Sequence, residues 1–516
     1  MANSEVELAG PREDLSQDQR KLSPEERFDI SEAMANIRRS YGDLRGTELK
    51  VCLLSFSIFP EGSVIRKRPL IYWWIGEGFI TATKEKTAEE IGEDIFAKLL
   101  RKDLIQPVPG QSNCELLVKN CIVHPWIRRM LISLAREARL FDFDPKWPMM
   151  PSDSISTCRR SCLVSNEKKP NPEEKPNSQE KPIAEEKPNP QEKPIPRDVD
   201  QWKQNLLTVF NVNVEYLDLK QEWLEKLKRV EVLHFGRWQS NPKHHIEVDQ
   251  KTFDGSQAVS FLNGLGAQKH LKYLSLRGIS RISELPASIR SLISLEILDL
   301  RACHDLERLP SDISSLKKLT HLDVSECYLL EGMPKGLHKL SSLQVLKGFL
   351  IGSQEKTPTK LGELATLKKL RRLSIHIGNG AAIQAVEFKK LKDMSSLRFL
   401  KVSWGVVSKN LTNEIADESL KFLFPENLEK LDLQGFPLAH APEGLKPSKL
   451  KNLKKLYIRG GELESLDHGE NEPWKVEILR LEYLKKSIYS EEGVKRNFPH
   501  RKYWTVKNLS EAEARR

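Results

Sequence analysis

The sequence predicts an α/β protein in which a small helical module and a long repeating sheet are joined by a disordered linker. Three observations carry this expectation. Leu271, Leu295, Leu319 and Leu343 stand 24 residues apart, and each opens the same phrase: LKYLSL, LEILDL, LTHLDV and LQVLKG. Upstream, residues 24–145 place apolar side chains at helical spacing. Between the two, Pro170, Pro176, Pro182, Pro188 and Pro194 recur every six residues, each after a lysine.

The helical module has legible boundaries. Ser23-Pro24-Glu25 reads as a helix start, with serine as N-cap and proline at the first helical position. Ile30, Met34, Ile37, Tyr41 and Leu44 follow on one face. Thr87 and Glu90 form a capping box in front of the stripe Ile91, Ile95 and Leu99. LIQPV and CELLVKNCIV read as a two-stranded wing, and a last helix carries Ile127, Leu131, Leu134 and Ala138. Helices followed by a hairpin of this kind predict a winged-helix domain over 24–145, after a polar, disordered N-terminus at 1–23.

Residues 146–200 are expected to be a linker. Proline at this density favours polyproline II, and lysine and glutamate nearly cancel, so nothing in this stretch can build a core. The pair Cys158 and Cys162 has no second ligand pair nearby, so a zinc site is not expected.

Residues 201–507 are expected to form the solenoid, with a C-terminal tail at 508–516. A period of 24 means one unit stacked on copies of itself, and L-x-x-L-x-L is the phrase of a leucine-rich repeat. Pro286, Pro310 and Pro334 repeat in step. Cys303 and Cys327 fall on one repeat position, where a side chain donates to backbone carbonyls in the turn. The phrases continue less evenly at Leu370, Leu397, Leu428, Leu453 and Val476, after an earlier one at Val230. The long step from Val230 to Leu271 predicts an insertion around 236–260. Because side chains alternate along a strand, the leucines point inward and the residues between them line an open concave face.

Composition excludes several classes. The chain has 516 residues, 30% of them charged, with a formal net charge of +10. Basic and acidic residues are interspersed, which argues only weakly for nucleic acid. No apolar run is long enough to span a membrane, and seven cysteines without a secretory signal favour the cytoplasm. No histidine or carboxylate spacing suggests catalysis, a metal or a cofactor, so a binding protein rather than an enzyme is expected.

The module also carries a resemblance. SYGDL (40–44), SFSIFPEG (55–62) and LIYWWIGEGFI (70–80), then a helix ending in LIQ, then CIVHPWIRRMLISLARE, follow one another. This order resembles the winged-helix part of plant nucleotide-binding leucine-rich-repeat immune receptors of the coiled-coil class. In that family leucine-rich repeats follow, as here. The resemblance implies a role in defence. It also exposes departures. In the family an ATPase module with a phosphate loop precedes the winged helix, and no G-x-x-x-x-G-K-[ST] occurs in this sequence. Where the family has a Met-His-Asp triplet, this chain has Val123-His124-Pro125, so the nucleotide role of the family histidine is not carried onto His124. The expectation is a truncated form lacking the coiled-coil and nucleotide-binding domains.

The concave face is the candidate site. Its expected partner-binding residues are Arg277, Arg301, Lys347, Phe349, Arg372, His376, Phe399, Lys401, Lys430, Lys455, Tyr457 and Arg459. Asp299 and Asp323 are read as solvent-facing neighbours. Arginine and aromatic side chains dominate protein interfaces. A protein partner with an acidic patch is therefore expected: a pathogen effector, a host kinase or another immune receptor. Two alternatives stay open. Phe56, Phe59, Trp73, Trp74 and Phe79 with Arg66-Lys67-Arg68 would suit a winged-helix nucleic-acid binder, and the chain would also fit an inactive receptor fragment.

Overall fold

The computed structural model describes residues 31–109, 117–141, 158–163, 205–217, 221–238, 246–248, 260–352, 360–378, 381, 385–405, 423–466, 472–484 and 491–508. The chain divides into two compact units, Met1–Leu140 and Phe141–Arg516.

The first unit is a winged helix. Its described helices are α1 (Glu32–Gly42), α2 (Thr47–Leu54), α3 (Lys67–Gly76), α4 (Ala88–Arg101) and α5 (Pro125–Glu137). The expected start at Ser23 and the residue Ile30 lie outside the described residues. The N-cap seen on α1 is Ser31, whose hydroxyl accepts from the Met34 N–H at 3.2 Å. The Thr87–Glu90 capping box is present in both directions. The wing is three-stranded rather than two-stranded. β1 (Ile65–Arg66) pairs antiparallel with β3 (Asn120–Ile122), which pairs antiparallel with β2 (Gln106–Pro107). A two-residue strand carries no alternation to read, which is why β1 was not legible. In α5 the buried stripe is Met130, Leu131 and Ala135, about a residue away from the expected one.

The second unit is a parallel sheet of 13 strands. In chain order its strands are β4 (Arg160–Leu163), β5 (Thr208–Asn211), β7 (Val232–His234), β9 (Tyr273–Ser275), β10 (Ile297–Asp299) and β11 (His321–Asp323). Then come β12 (Val345–Ile351), β13 (Arg372–Ile377), β14 (Phe399–Trp404), β15 (Lys430–Phe436), β16 (Lys455–Gly461), β17 (Ile478–Leu484) and β18 (Tyr503–Asn508). The short strands β6 (Tyr216–Leu217) and β8 (Glu247–Val248) form a separate parallel pair, and β8 lies in the expected insertion. Neighbours in the main sheet are in register: Ile297, His321, Val345, Arg372, Phe399, Lys430, Lys455 and Ile478 are successive partners.

Beneath this sheet the leucines of each phrase form one continuous core. Leu271, Leu274, Leu295, Leu298, Leu319, Leu322, Leu343 and Leu346 are fully buried. Pro286 and Pro310 stand directly before the 3-10 turns Ala287–Ser291 and Ser311–Ser315. Their fixed φ starts each return turn. Cys303 and Cys327 donate from Sγ to the carbonyls of Leu276 (3.1 Å) and Leu300 (3.2 Å) in the preceding repeat. Each thiol ties one repeat to the next, and burial pushes the Cys303 thiol up to about 12.

One boundary is corrected. Arg160–Leu163, inside the expected linker at 146–200, is the edge strand of the sheet and pairs residue by residue with β5. Both strands lack the leucine phrase: RSCL and TVFN bury serine, cysteine, threonine and asparagine. The proline hexads lie outside the described residues.

Candidate partner-binding surface

The open face of the sheet changes character along its length. Strands β9 to β11 have three residues each, while β12 to β18 have six or seven. The later strands therefore offer three outward positions where the earlier ones offer two. Adjacent strands lie about 4.8 Å apart, so outward side chains at one register position touch.

Across β13 to β17 cations and rings interleave. The Arg372 guanidinium lies 3.8 Å from the Phe399 ring centroid. Lys430 sits 4.4 Å and Arg480 5.0 Å from the Tyr457 ring. Each such contact fixes a long side chain over an aromatic face. Arg459 donates from Nε to Glu482 at 3.0 Å. Lys401 and Lys455 are half-buried, and His376 is exposed. Partial burial and the nearby Lys401 charge hold the His376 imidazole below its usual value. Tyr457 is covered by its two cations until little of the ring meets solvent.

Phe349 is not on this face. It is fully buried in the core, because Gly348 adopts φ +79° and the pairing with β13 shifts between Lys347 and Phe349. A bulge adds one residue and inverts the alternation beyond it. Phe349 consequently pairs with inward Ile375, and Leu350 takes the position opposite His376.

In β9 to β12 the outward positions form a packed charged network. Asp299 and Asp323, expected to be solvent-facing, are buried. Asp323 accepts from Lys347 Nζ at 2.8 Å and from the Ser325 N–H at 3.1 Å. Asp299 accepts from the Arg301 N–H at 3.0 Å. Burial pushes the Asp323 carboxyl up, but the charges of Lys347 and Arg301 outweigh it and hold the group well below the carboxylate range. Asp299 goes the other way: burial raises it, and the Arg277 charge only partly opposes this. Arg301 is hydrogen-bonded to Glu326, and Arg277 is nearly fully buried. Lys347 is thus half of an internal ion pair.

Two neighbours were missed in the sequence. Arg237 joins Arg277 and Arg301 across β7 to β10. The repeat offset from Leu233 falls on Gly236, so phasing alone passes Arg237 by. Glu326 follows the leucine phrase in a residue with φ +65°, where alternation no longer says which way a side chain points.

The first unit uses its aromatic and basic residues internally. Phe56, Phe59, Trp73 and Trp74 are buried, with edge contacts at 6.1 Å (Phe56–Trp74) and 6.3 Å (Phe59–Trp73). Arg68 binds Glu89 at 2.6 Å and Glu93 at 3.1 Å, and Lys67 binds Glu93 at 2.8 Å. Arg66-Lys67-Arg68 spans the end of β1 and the start of α3, and Lys67 and Arg68 are tied to α4. His124 is the N-cap of α5 and accepts from the Trp126 N–H at 3.3 Å. Among the described residues no helix is long and apolar enough to cross a membrane, and no group of histidines, cysteines and carboxylates is placed to hold a metal.

Comparison with known proteins agrees with this architecture. Residues 58–131 match the family model described as the disease resistance protein winged helix domain, and residues 249–468 match the leucine-rich repeat region. Disease resistance RPP13-like protein 4 of Arabidopsis thaliana is 26% identical over 93% of this chain, which spans 51% of that protein. Disease resistance protein PIK6-NP of Oryza sativa subsp. japonica is 37% identical over 25% of this chain and 12% of its own length. The chain thus spans about half, or less, of the curated relatives it matches. It carries, in order, the winged-helix domain of plant disease resistance proteins and a leucine-rich repeat region.

Proposed function

We propose that this chain is a plant immune-receptor-like protein. In this reading it acts in the cytoplasm and binds a protein partner with an acidic patch through the open face of its repeat sheet, without a nucleotide switch of its own. A pathogen effector, a host kinase or another immune receptor would fit that description. The observation that carries the reading is the interleaved row of cations and rings on β13 to β17, in which Arg372, Lys430 and Arg480 are each held over an aromatic ring. Pre-positioned cations lower the ordering cost of a complex and steer an acidic partner. The two relatives described above, both named as disease resistance proteins, support the defence context. A nucleic-acid role for the winged helix has less support, since its aromatic residues fill a core and Lys67 and Arg68 are neutralised by Glu89 and Glu93.

The test reverses charge at Arg372, Lys401 and Arg459 together. The control reverses Lys317, Lys339 and Lys368, which are exposed beyond the strands. Full chains are immobilised and challenged with plant extract. A protein retained by the wild type and the control but lost by the first triple variant is the expected result, with moderate salt dependence. Equal behaviour of the two variants overturns the surface assignment. Steep salt dependence together with retained nucleic acid would favour the winged helix as the binding element.

A further inference from the structure

The edge of the solenoid from which the strands start repeats one turn several times over. Ile293, Lys317, Ser341 and Lys368 stand four residues before Ile297, His321, Val345 and Arg372, which are successive in-register partners on β10 to β13. The first three turns close alike: the N–H groups of Ile293, Lys317 and Ser341 donate to the carbonyls of Ser291, Ser315 and Lys339 at 2.9, 2.8 and 3.0 Å. Lys317 and Lys368 hold their ammonium groups alike, donating to the carbonyls of Ser314 (2.9 Å) and Ala365 (3.1 Å). Lys317 also reaches the Lys339 carbonyl of the next repeat at 3.2 Å. All four side chains on this row are exposed.

Charge on this edge is one-sided. Lys318, Lys339 and Lys369 flank the row and are exposed. Like Lys317 and Lys368, they make no ion pair among the described residues. Exposed cations elsewhere in the unit meet carboxylates across repeats: Lys272 with Glu231 at 2.7 Å, Arg308 with Glu331 at 3.4 Å and Lys502 with Glu477 at 2.9 Å. The carboxylates of these turns are engaged by other partners, Asp312 by Arg290 at 3.5 Å and Glu363 by His338 at 2.9 Å. Half-buried Glu296 is shared between Lys272 and Lys318. Like charges gathered without counter-ions repel one another, so this edge gains nothing in stability from its lysines. Ile293, one repeat before Lys317 on the same row, is 62% exposed. A single exposed isoleucine is ordinary by itself; here it extends a row of unpaired cations.

We propose that this edge docks on an anionic phospholipid surface, with the lysines on the headgroups and Ile293 entering the interface beneath them. Basic side chains are drawn to such a surface, and long lysine stems reach the headgroups while an apolar neighbour goes deeper. A nucleic-acid backbone would satisfy the lysines but has no use for the isoleucine. Because the turns lie at the edge of the sheet, docking there leaves the open face of the strands clear for a protein partner.

The probes are vesicles of phosphatidylcholine, alone or with about one third phosphatidylserine, sedimented with the full chain. The wild type should bind only the mixed vesicles, and more weakly as salt rises. The reversal of Lys317, Lys339 and Lys368 is here the test, and the reversal of Arg372, Lys401 and Arg459 is the control. Each lysine at such a surface contributes about fivefold, so the first variant should lose about a hundredfold or more while the second binds like the wild type. Glutamine at the same three lysines removes charge without adding any, and should fall between the wild type and the reversal. Ile293→Ser keeps every charge and should weaken binding about tenfold with the salt dependence and melting temperature unchanged. A wild type that does not sediment with the mixed vesicles overturns the proposal, as does equal loss in the two triple variants. Wild-type binding by Ile293→Ser would make the edge a general polyanion surface and overturn the lipid assignment.

Discussion

Asp299 and Asp323 occupy the same position in successive repeats, pair with one another in register, and are both buried. Their surroundings separate them. Asp323 has the Lys347 ammonium at 2.8 Å, whereas Asp299 accepts a backbone N–H and lies next to a second carboxylate. Asp323→Asn removes the buried carboxylate that meets the half-buried Lys347 ammonium and should cost about 3 kcal/mol at neutral pH, the low end for a broken buried pair. Asp299→Asn keeps an acceptor for the Arg301 N–H and should change stability by at most about 1 kcal/mol. The pH dependence follows from the signs. The Asp323 carboxyl is depressed in the folded state, so its contribution is present above the unfolded value of about 3.9. It is lost as pH falls through the folded value below that. The raised Asp299 carboxyl works the other way, favouring the folded state below its unfolded value and losing that contribution as pH rises through the folded one. Urea melts of both variants at pH 7 and pH 3 check this: the gap between Asp323→Asn and wild type should narrow in acid. Equal losses in the two variants at pH 7 would show that the Lys347 pair does not set the difference.

At the scale of the element, the bulge in β12 decides what the strand shows to solvent. Gly348 sits at φ +79°, and a Cβ there would lie 2.6 Å from the Ser325 amide nitrogen. Gly348→Ala therefore combines a left-handed conformation, worth about 1–3 kcal/mol, with a clash against backbone that cannot rotate away. Thermal unfolding should register a loss of at least that size. If Gly348→Ala were neutral, the strand would have to run without the bulge, and Phe349 would then face solvent as simple alternation implies. Much of this scale was legible from the sequence. The leucine phrases place ten strands in their observed register, and Thr87 with Glu90 opens α4 as read. The edges were not. β4, β5 and β18 end the sheet with polar or aromatic residues in place of the phrase, because a terminal repeat packs on one side only and has no need of the full leucine set.

For the whole molecule, each unit carries its own buried core, and the nucleotide question belongs to the chain rather than to any element. Val123-His124-Pro125 opens a helix, with His124 spent on capping it and Pro125 at its first position. No Gly-x4-Gly-Lys-Ser/Thr phrase stands anywhere in the 516 residues. Calorimetry on the full chain with ADP or ATP should accordingly give no saturable isotherm at micromolar concentration. A tight isotherm would mean that a phosphate cradle has been built without that phrase.

Repetition made the order of the modules, the inward leucines, the carbonyl-bonding cysteines and the general run of outward residues readable from the sequence alone. A period of 24 residues and an alternation of two are local properties, copied from repeat to repeat. The tertiary structure decided which outward residues are free to meet a partner. Phe349 turned inward because one glycine changed the phase. Asp299, Asp323, Arg277 and Lys347 became a packed network because strands about 4.8 Å apart bring unlike repeats into contact. Arg237 joined them across an insertion that breaks the period. Those outcomes depend on which side chain of one repeat lies against which of the next, a pairing that no single repeat encodes.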